Sequence, residues 1–93
     1  MIERSGNELR VSGAVTFANA VEVCEEGRQQ LNGNTVVDLG NVTEVDSAAL
    51  SVMFEWRRAA KAKNLQLSFR NLPDNMKSLA ALYGVADLVA PGA

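Results

Sequence analysis

The stretch Thr35–Arg58, TVVDLGNVTEVDSAALSVMFEWRR, constrains the fold more than any other. It opens with a short apolar run, Val36-Val37-Asp38-Leu39, breaks at Gly40-Asn41, and resumes over Val42–Val45. From Asp46-Ser47 an amphipathic pattern continues to about Lys63. The reading is strand, loop, then helix, with Asp46 or Ser47 as the N-cap. The near-continuous apolar run predicts a central strand covered on both faces. A hydroxyl at the mouth of such a helix sits where unpaired backbone N–H groups and the positive dipole end face solvent. A site of that kind holds a phosphate group or accepts one covalently.

The segments on either side extend the pattern. Residues 2–14 read as a hairpin, with Ser5-Gly6-Asn7-Glu8 as its turn and Leu9, Val11 and Gly13 alternating with polar neighbours. Thr16 is placed to cap a helix from Phe17 to about Leu31, with Phe17, Ala20, Val21, Cys24, Gly27 and Leu31 on one face. Its small residues, Ala20 and Gly27, allow close approach to a sheet. Asn32-Gly33-Asn34 ends it.

In the helix from Ala48 to Lys63, a 100° step puts Ala49, Met53, Trp56 and Ala60 on one face, with Leu50 and Arg57 at its border. Leu65, Leu67 and Phe69 alternate with polar residues, as in a half-buried strand. Asn71-Leu72-Pro73 starts a third helix with the stripe Leu72, Met76, Leu79, Ala80 and Tyr83, and Gly84 closes it. Val85–Val89 reads as a last short strand or a turn of helix. The order β-β-α-β-α-β-α predicts an α/β fold, one domain over residues 1–93. Its mixed sheet has parallel central strands, because a helical crossover joins them.

Composition narrows function. The 93 residues include no histidine and one cysteine, Cys24, which removes the usual zinc sites and histidine-based catalysis and rules out an internal disulfide. Cys24 lies on an apolar face and reads as a small buried hydrophobe. No metal or cofactor is expected. With net charge −2 and few aromatics, nothing argues for nucleic acid. The N-terminal residues lack a signal-peptide apolar core, and no window reaches membrane-spanning length. The expectation is a cytoplasmic protein without direct membrane insertion.

Val37-Asp38-Leu39 followed by Val42-Thr43-Glu44-Val45-Asp46-Ser47 resembles the motif of the STAS domain, the anti-sigma-factor-antagonist family. The likeness covers essentially the whole chain. The ending Leu79-Ala80-Ala81-Leu82-Tyr83-Gly84-Val85 is most similar to the MlaB-type branch of that family. Members of that branch are small cytoplasmic subunits of an ABC transporter that moves phospholipids between envelope membranes of Gram-negative bacteria. The resemblance implies a non-catalytic module that docks on the ATPase subunit of such a transporter. The alternative it implies is a phosphorylation-switched antagonist that binds a kinase-type anti-sigma factor. By resemblance Ser47 is the phosphoacceptor or regulatory hydroxyl, and Asp46 the preceding acid. The family's glycine after this hydroxyl is replaced by Ala48-Ala49, a departure that bears on kinase recognition more than on docking.

The expected partner-contact set is Thr43, Asp46, Ser47, Leu50, Ser51, Phe54 and Arg58. Phe54 falls off the core stripe, on the Ser47 side, and reads equally as a flank of the core or as an anchor for a partner. Asp38 reads as a carboxylate satisfied at a strand end or by backbone donors. An enzymatic reading is the weakest: Ser47 has no histidine to serve as its base, and Lys61 or Lys63, which could substitute in principle, is positioned by no motif.

Overall fold

The computed structural model describes residues 1–85. Strands β1 (Ile2–Ser5) and β2 (Glu8–Val15) form an antiparallel hairpin, with Ile2 opposite Val11 and Ser5 opposite Glu8. Gly6 turns the chain at φ +60°, a conformation that costs glycine least. Then follow α1 (Ala20–Gln29), β3 (Thr35–Val45), α2 (Ser47–Ala62), β4 (Leu67–Arg70) and α3 (Asp74–Leu82). The sheet order is β1-β2-β3-β4, and β3 pairs in parallel with both β2 and β4. Each parallel step is bridged by a helix, as a parallel pairing requires. The element order and the mixed sheet are those expected from sequence. Most of the segment read as a final strand or turn, Val85–Val89, lies outside the described residues.

The two faces of the sheet differ in chemistry. Leu9, Val11, Val37, Leu39 and Phe69 are buried in one core with Val52, Met53 and Trp56 of α2 and Met76 of α3. Their alternate neighbours carry charge: Glu8 receives Arg10 at 3.1 Å and Arg70 at 3.0 Å, and Arg70 lies 3.7 Å from Asp38. So β3 is covered by helices on one face only, among the described residues, and an ion-pair network stands on the other. Asp38 joins that network because the Gly40 N–H donates to it at 2.9 Å and Asn71 Nδ2 at 3.1 Å. Those hydrogen bonds, the Gly40 one foremost, outweigh burial and hold its carboxyl below the ordinary carboxylate range.

Gly40-Asn41 is a bulge in the strand rather than the predicted loop. Arg10 stands opposite Asp38, but Ser12 stands opposite Asn41; Gly13 pairs with Val42, but Ala14 pairs with Glu44. One extra residue therefore sits in β3 at each place, which makes two β-bulges. Each bulge absorbs its extra residue, and the side chains after it keep the face of their β2 partners. Val37, Leu39, Val42 and Val45 therefore all turn inward despite their uneven spacing.

The helices end on local chemistry. Asn64 (φ +57°) and Gly84 (φ +70°) adopt the left-handed conformation after α2 and α3. In each case a 6→1 bond closes the turn: the Leu65 N–H to the Ala60 carbonyl, and the Val85 N–H to the Ala80 carbonyl, both 2.8 Å. Just past α1, Arg4 Nη1 donates to the Gln30 carbonyl at 2.6 Å and Lys63 Nζ to the Leu31 carbonyl at 3.1 Å. Gly27 serves a different contact from the one expected: it faces α2 rather than the sheet, and a β-carbon there would run into the Trp56 ring. The indole Nε1 of Trp56 donates to the Cys24 carbonyl at 2.9 Å, which fixes the two helices against each other. Tyr83, placed on the core stripe by its spacing, is 57% exposed because α3 ends one residue before it.

Candidate functional site

At the C-terminal end of β3 the chain enters α2 through Asp46. Of the two candidate caps, Asp46 is the one: its backbone is extended and its Oδ1 accepts from the Ala48 N–H at 2.8 Å. Its Oδ2 accepts from the Phe17 N–H at 3.1 Å, in the turn that precedes α1. That turn is tied again by Asn19, whose Oδ1 accepts from the Thr16 N–H at 3.0 Å and whose Nδ2 donates to the Ala14 carbonyl at 2.8 Å. Asn19, not Thr16, precedes the first helical residue, so α1 starts three residues later than expected. The mouths of α1 and α2 are thus held together by one carboxylate.

Ser47 is the first residue of α2 and is exposed. With the cap supplied by Asp46, its hydroxyl takes no part in a hydrogen bond among the described residues. Ser51 and Arg58 lie exposed along the same stripe, and Arg58 pairs with Glu55 at 2.7 Å. Phe54 is half-buried and packs on the edge of the core. Thr43 is exposed at the second bulge of β3. Leu50 does not belong with these residues. At 3% exposure it is core, because it points back under the helix toward the sheet.

Phe17 and Val21, read from their spacing as core, are 82% and 78% exposed. The residues that α1 buries are Val23 and Gly27. α1 and the turn before it carry two apolar sets, Val23 and Gly27 inward and Phe17 and Val21 outward, with Ala20 and Cys24 half-buried between them, which a single broad face had merged. An apolar band wider than one core contact needs was the available signal. The outer stripe borders a groove of about 240 Å³ between the helices, lined by Ala20, Val21 and Cys24 on one side and Ala48, Ser51 and Val52 on the other. Burial first, and then the carboxylate of Glu55, push the Cys24 thiol pKa up, so it stays protonated and weakly nucleophilic. Among the described residues no group of three or more metal-ligating side chains occurs, and no helix is long and apolar enough to cross a membrane.

A four-stranded mixed sheet, an acid-hydroxyl pair at the mouth of the second helix, and a family model described as "Mlab, STAS domain" that matches residues 1–90 agree. This chain belongs to that STAS-domain family. The intermembrane phospholipid transport system binding protein MlaB of Escherichia coli (strain K12) is 25% identical over 88 residues, which cover 95% of this chain and 91% of that protein. The protein of the same name in Shigella flexneri matches to the same extent. Among solved structures, the anti-sigma factor antagonist SpoIIAA in its unphosphorylated form superposes with a TM-score of 0.75 at 9% identity, over 100% of this chain and 87% of that one. A crystal structure of Mglu gives 0.62 at 20% identity, over 82% of this chain and 20% of that one. At such identities these structures bear on the fold alone, and they agree with the STAS architecture described above.

Proposed function

We propose that this STAS domain is a non-catalytic binding module. It docks on the ATPase subunit of an ABC transporter for phospholipid trafficking and supports that subunit's assembly or activity. The observation that carries the reading is an unused, exposed hydroxyl, Ser47, beside an exposed aromatic, Phe17, at the two helix mouths joined by Asp46, with exposed Val21 on the groove between those helices. Exposed aromatic anchors beside a small polar group are what a specific protein contact uses. The MlaB relatives, whose name assigns them to intermembrane phospholipid transport, support the choice of partner. The chain's lack of histidine supports the absence of catalysis.

Calorimetric titration against the ATPase subunit tests this. Ser47→Glu leaves the melting temperature unchanged, since a helix N-terminus tolerates negative charge, yet weakens binding about tenfold, ~1.4 kcal/mol. Phe17→Ala weakens binding with no loss of stability. Wild-type affinity in both variants removes the helix mouth from the interface.

The exposed hydroxyl also favours a second reading, a phosphorylation-switched antagonist of a kinase-type anti-sigma factor. It expects Ser47 to gain one phosphoryl group on incubation with that kinase and ATP. An unchanged mass leaves docking alone.

A further inference from the structure

At the far end of α2, about 20 Å from Ser47 by helical rise, lies a cleft of about 930 Å³ with a different chemistry. Arg57 and Lys61, one turn apart on α2, line it, and among the described residues no carboxylate does. The Nε of Arg57 is buried and has no hydrogen-bond partner among the described residues. The guanidinium carbon stands 5.7 Å from the centre of the Phe69 ring, which holds the side chain in place without accepting its N–H groups. Most other arginines have an acceptor: Arg10, Arg28, Arg58 and Arg70 pair with carboxylates, and Arg4 with a carbonyl. Glu8, next to the lining residue Asn7, is already held by Arg10 and Arg70. The Arg57 guanidinium alone lacks an acceptor among the described residues, and an anion in the cleft would supply one to its Nη groups.

We infer that this cleft binds a phosphate group, with the Arg57 Nη groups and Lys61 Nζ as its charged donors. The two cations match the charge of about −1.5 to −2 on a phosphomonoester at neutral pH. The planar fork of Arg57 suits two phosphate oxygens at once, while Lys61 contributes a point charge. The amides of Asn7, Asn64 and Gln66 and the hydroxyl of Ser68, also on the lining, supply neutral donors. Two C-terminal carbonyls of α2, those of Ala60 and Lys61, are taken up by the N–H groups of Leu65 and Asn64. The volume exceeds that of a phosphate ion and leaves room for the group that bears it. A free phosphate ester and an anionic lipid headgroup share this chemistry.

Two-dimensional NMR of the arginine Nε–Hε groups decides it on the intact chain. Inorganic phosphate should shift the Arg57 signal saturably at millimolar concentration or below, and Lys61→Gln should weaken that response about fivefold, ~1 kcal/mol. Lys61 is exposed, so the variant keeps the fold if Arg57→Gln does not. Vesicles of phosphatidylcholine with and without phosphatidic acid separate the sources. Lys61-dependent binding to the phosphatidic acid vesicles alone, without a response to phosphate, assigns the site to a headgroup. A silent Arg57 signal together with vesicle binding that is absent or indifferent to Lys61→Gln overturns the inference. So do phosphate-induced shifts confined to the Ser47 end of α2.

Discussion

The Oδ2 of Asp46 accepts the backbone N–H of Phe17 at 3.1 Å, across 29 residues of sequence. The other oxygen of the same carboxylate caps α2. One side chain therefore sets the first turn of α2 and the height of the turn that presents Phe17.

Asp46→Ala removes both bonds and should destabilise the fold by about 1–2 kcal/mol. Ser47→Ala removes neither and should stay within about 0.5 kcal/mol of wild type. Urea unfolding of the pair measures the difference. The reverse ranking would make Ser47 the cap.

Gly27 and Trp56 leave no room for a methyl group between α1 and α2. Gly27→Ala gains about 1 kcal/mol of helix propensity but meets an overpacking cost of about 1–3 kcal/mol. Net destabilisation is expected, together with a changed tryptophan emission spectrum. A stabilised variant would show that the helices can slide apart freely.

Met53 and Leu39 lie on opposite sides of the core, 1% exposed each. Met53→Ala and Leu39→Ala should each cost about 2–5 kcal/mol in chemical denaturation. Wild-type midpoints for both would contradict the facing of α2 on β3.

Asp38 gives the fold an acid limb. Its carboxyl has a lower pKa folded than unfolded, so the unfolded chain binds protons first as pH falls. The stabilisation is complete above the unfolded value, about 3.9, and is lost as pH drops below it through the folded value. Asp38→Asn should flatten that part of the stability profile between neutral and acid pH. An unaltered acid limb in the variant would show that other carboxylates carry it.

The fold was legible where one physical signal dominated. Alternation marked β2 and β4, the acid-hydroxyl pair marked the start of α2, and Gly84 marked the end of α3. Trp56 fell on the predicted core stripe and is core. Three features were not legible, each because a single pattern had two physical sources. Gly40-Asn41 reads the same whether it breaks a strand or bulges it, and only pairing with β2 distinguishes the two. Phe17 and Val21 read as core because periodicity reports which residues are apolar, not which stripe meets the sheet. Leu50 sat at the border of two faces, and tertiary packing decided it. Within the site, Asp46, Ser47 and Ser51 came from sequence. The groove beside them did not, because it belongs to two helices at once.

The paired bulges of β3 set a rule for how this segment tolerates change in length. The loss of one residue at Gly40 or Thr43 would remove a bulge and leave every later side chain, Asp46 included, on its present side of the sheet. The loss of one at each place would shorten the strand and leave every later side chain facing as before. Length variation in β3 should therefore be confined to the two bulges, where a single-residue deletion should be far less damaging than the same deletion at Val37.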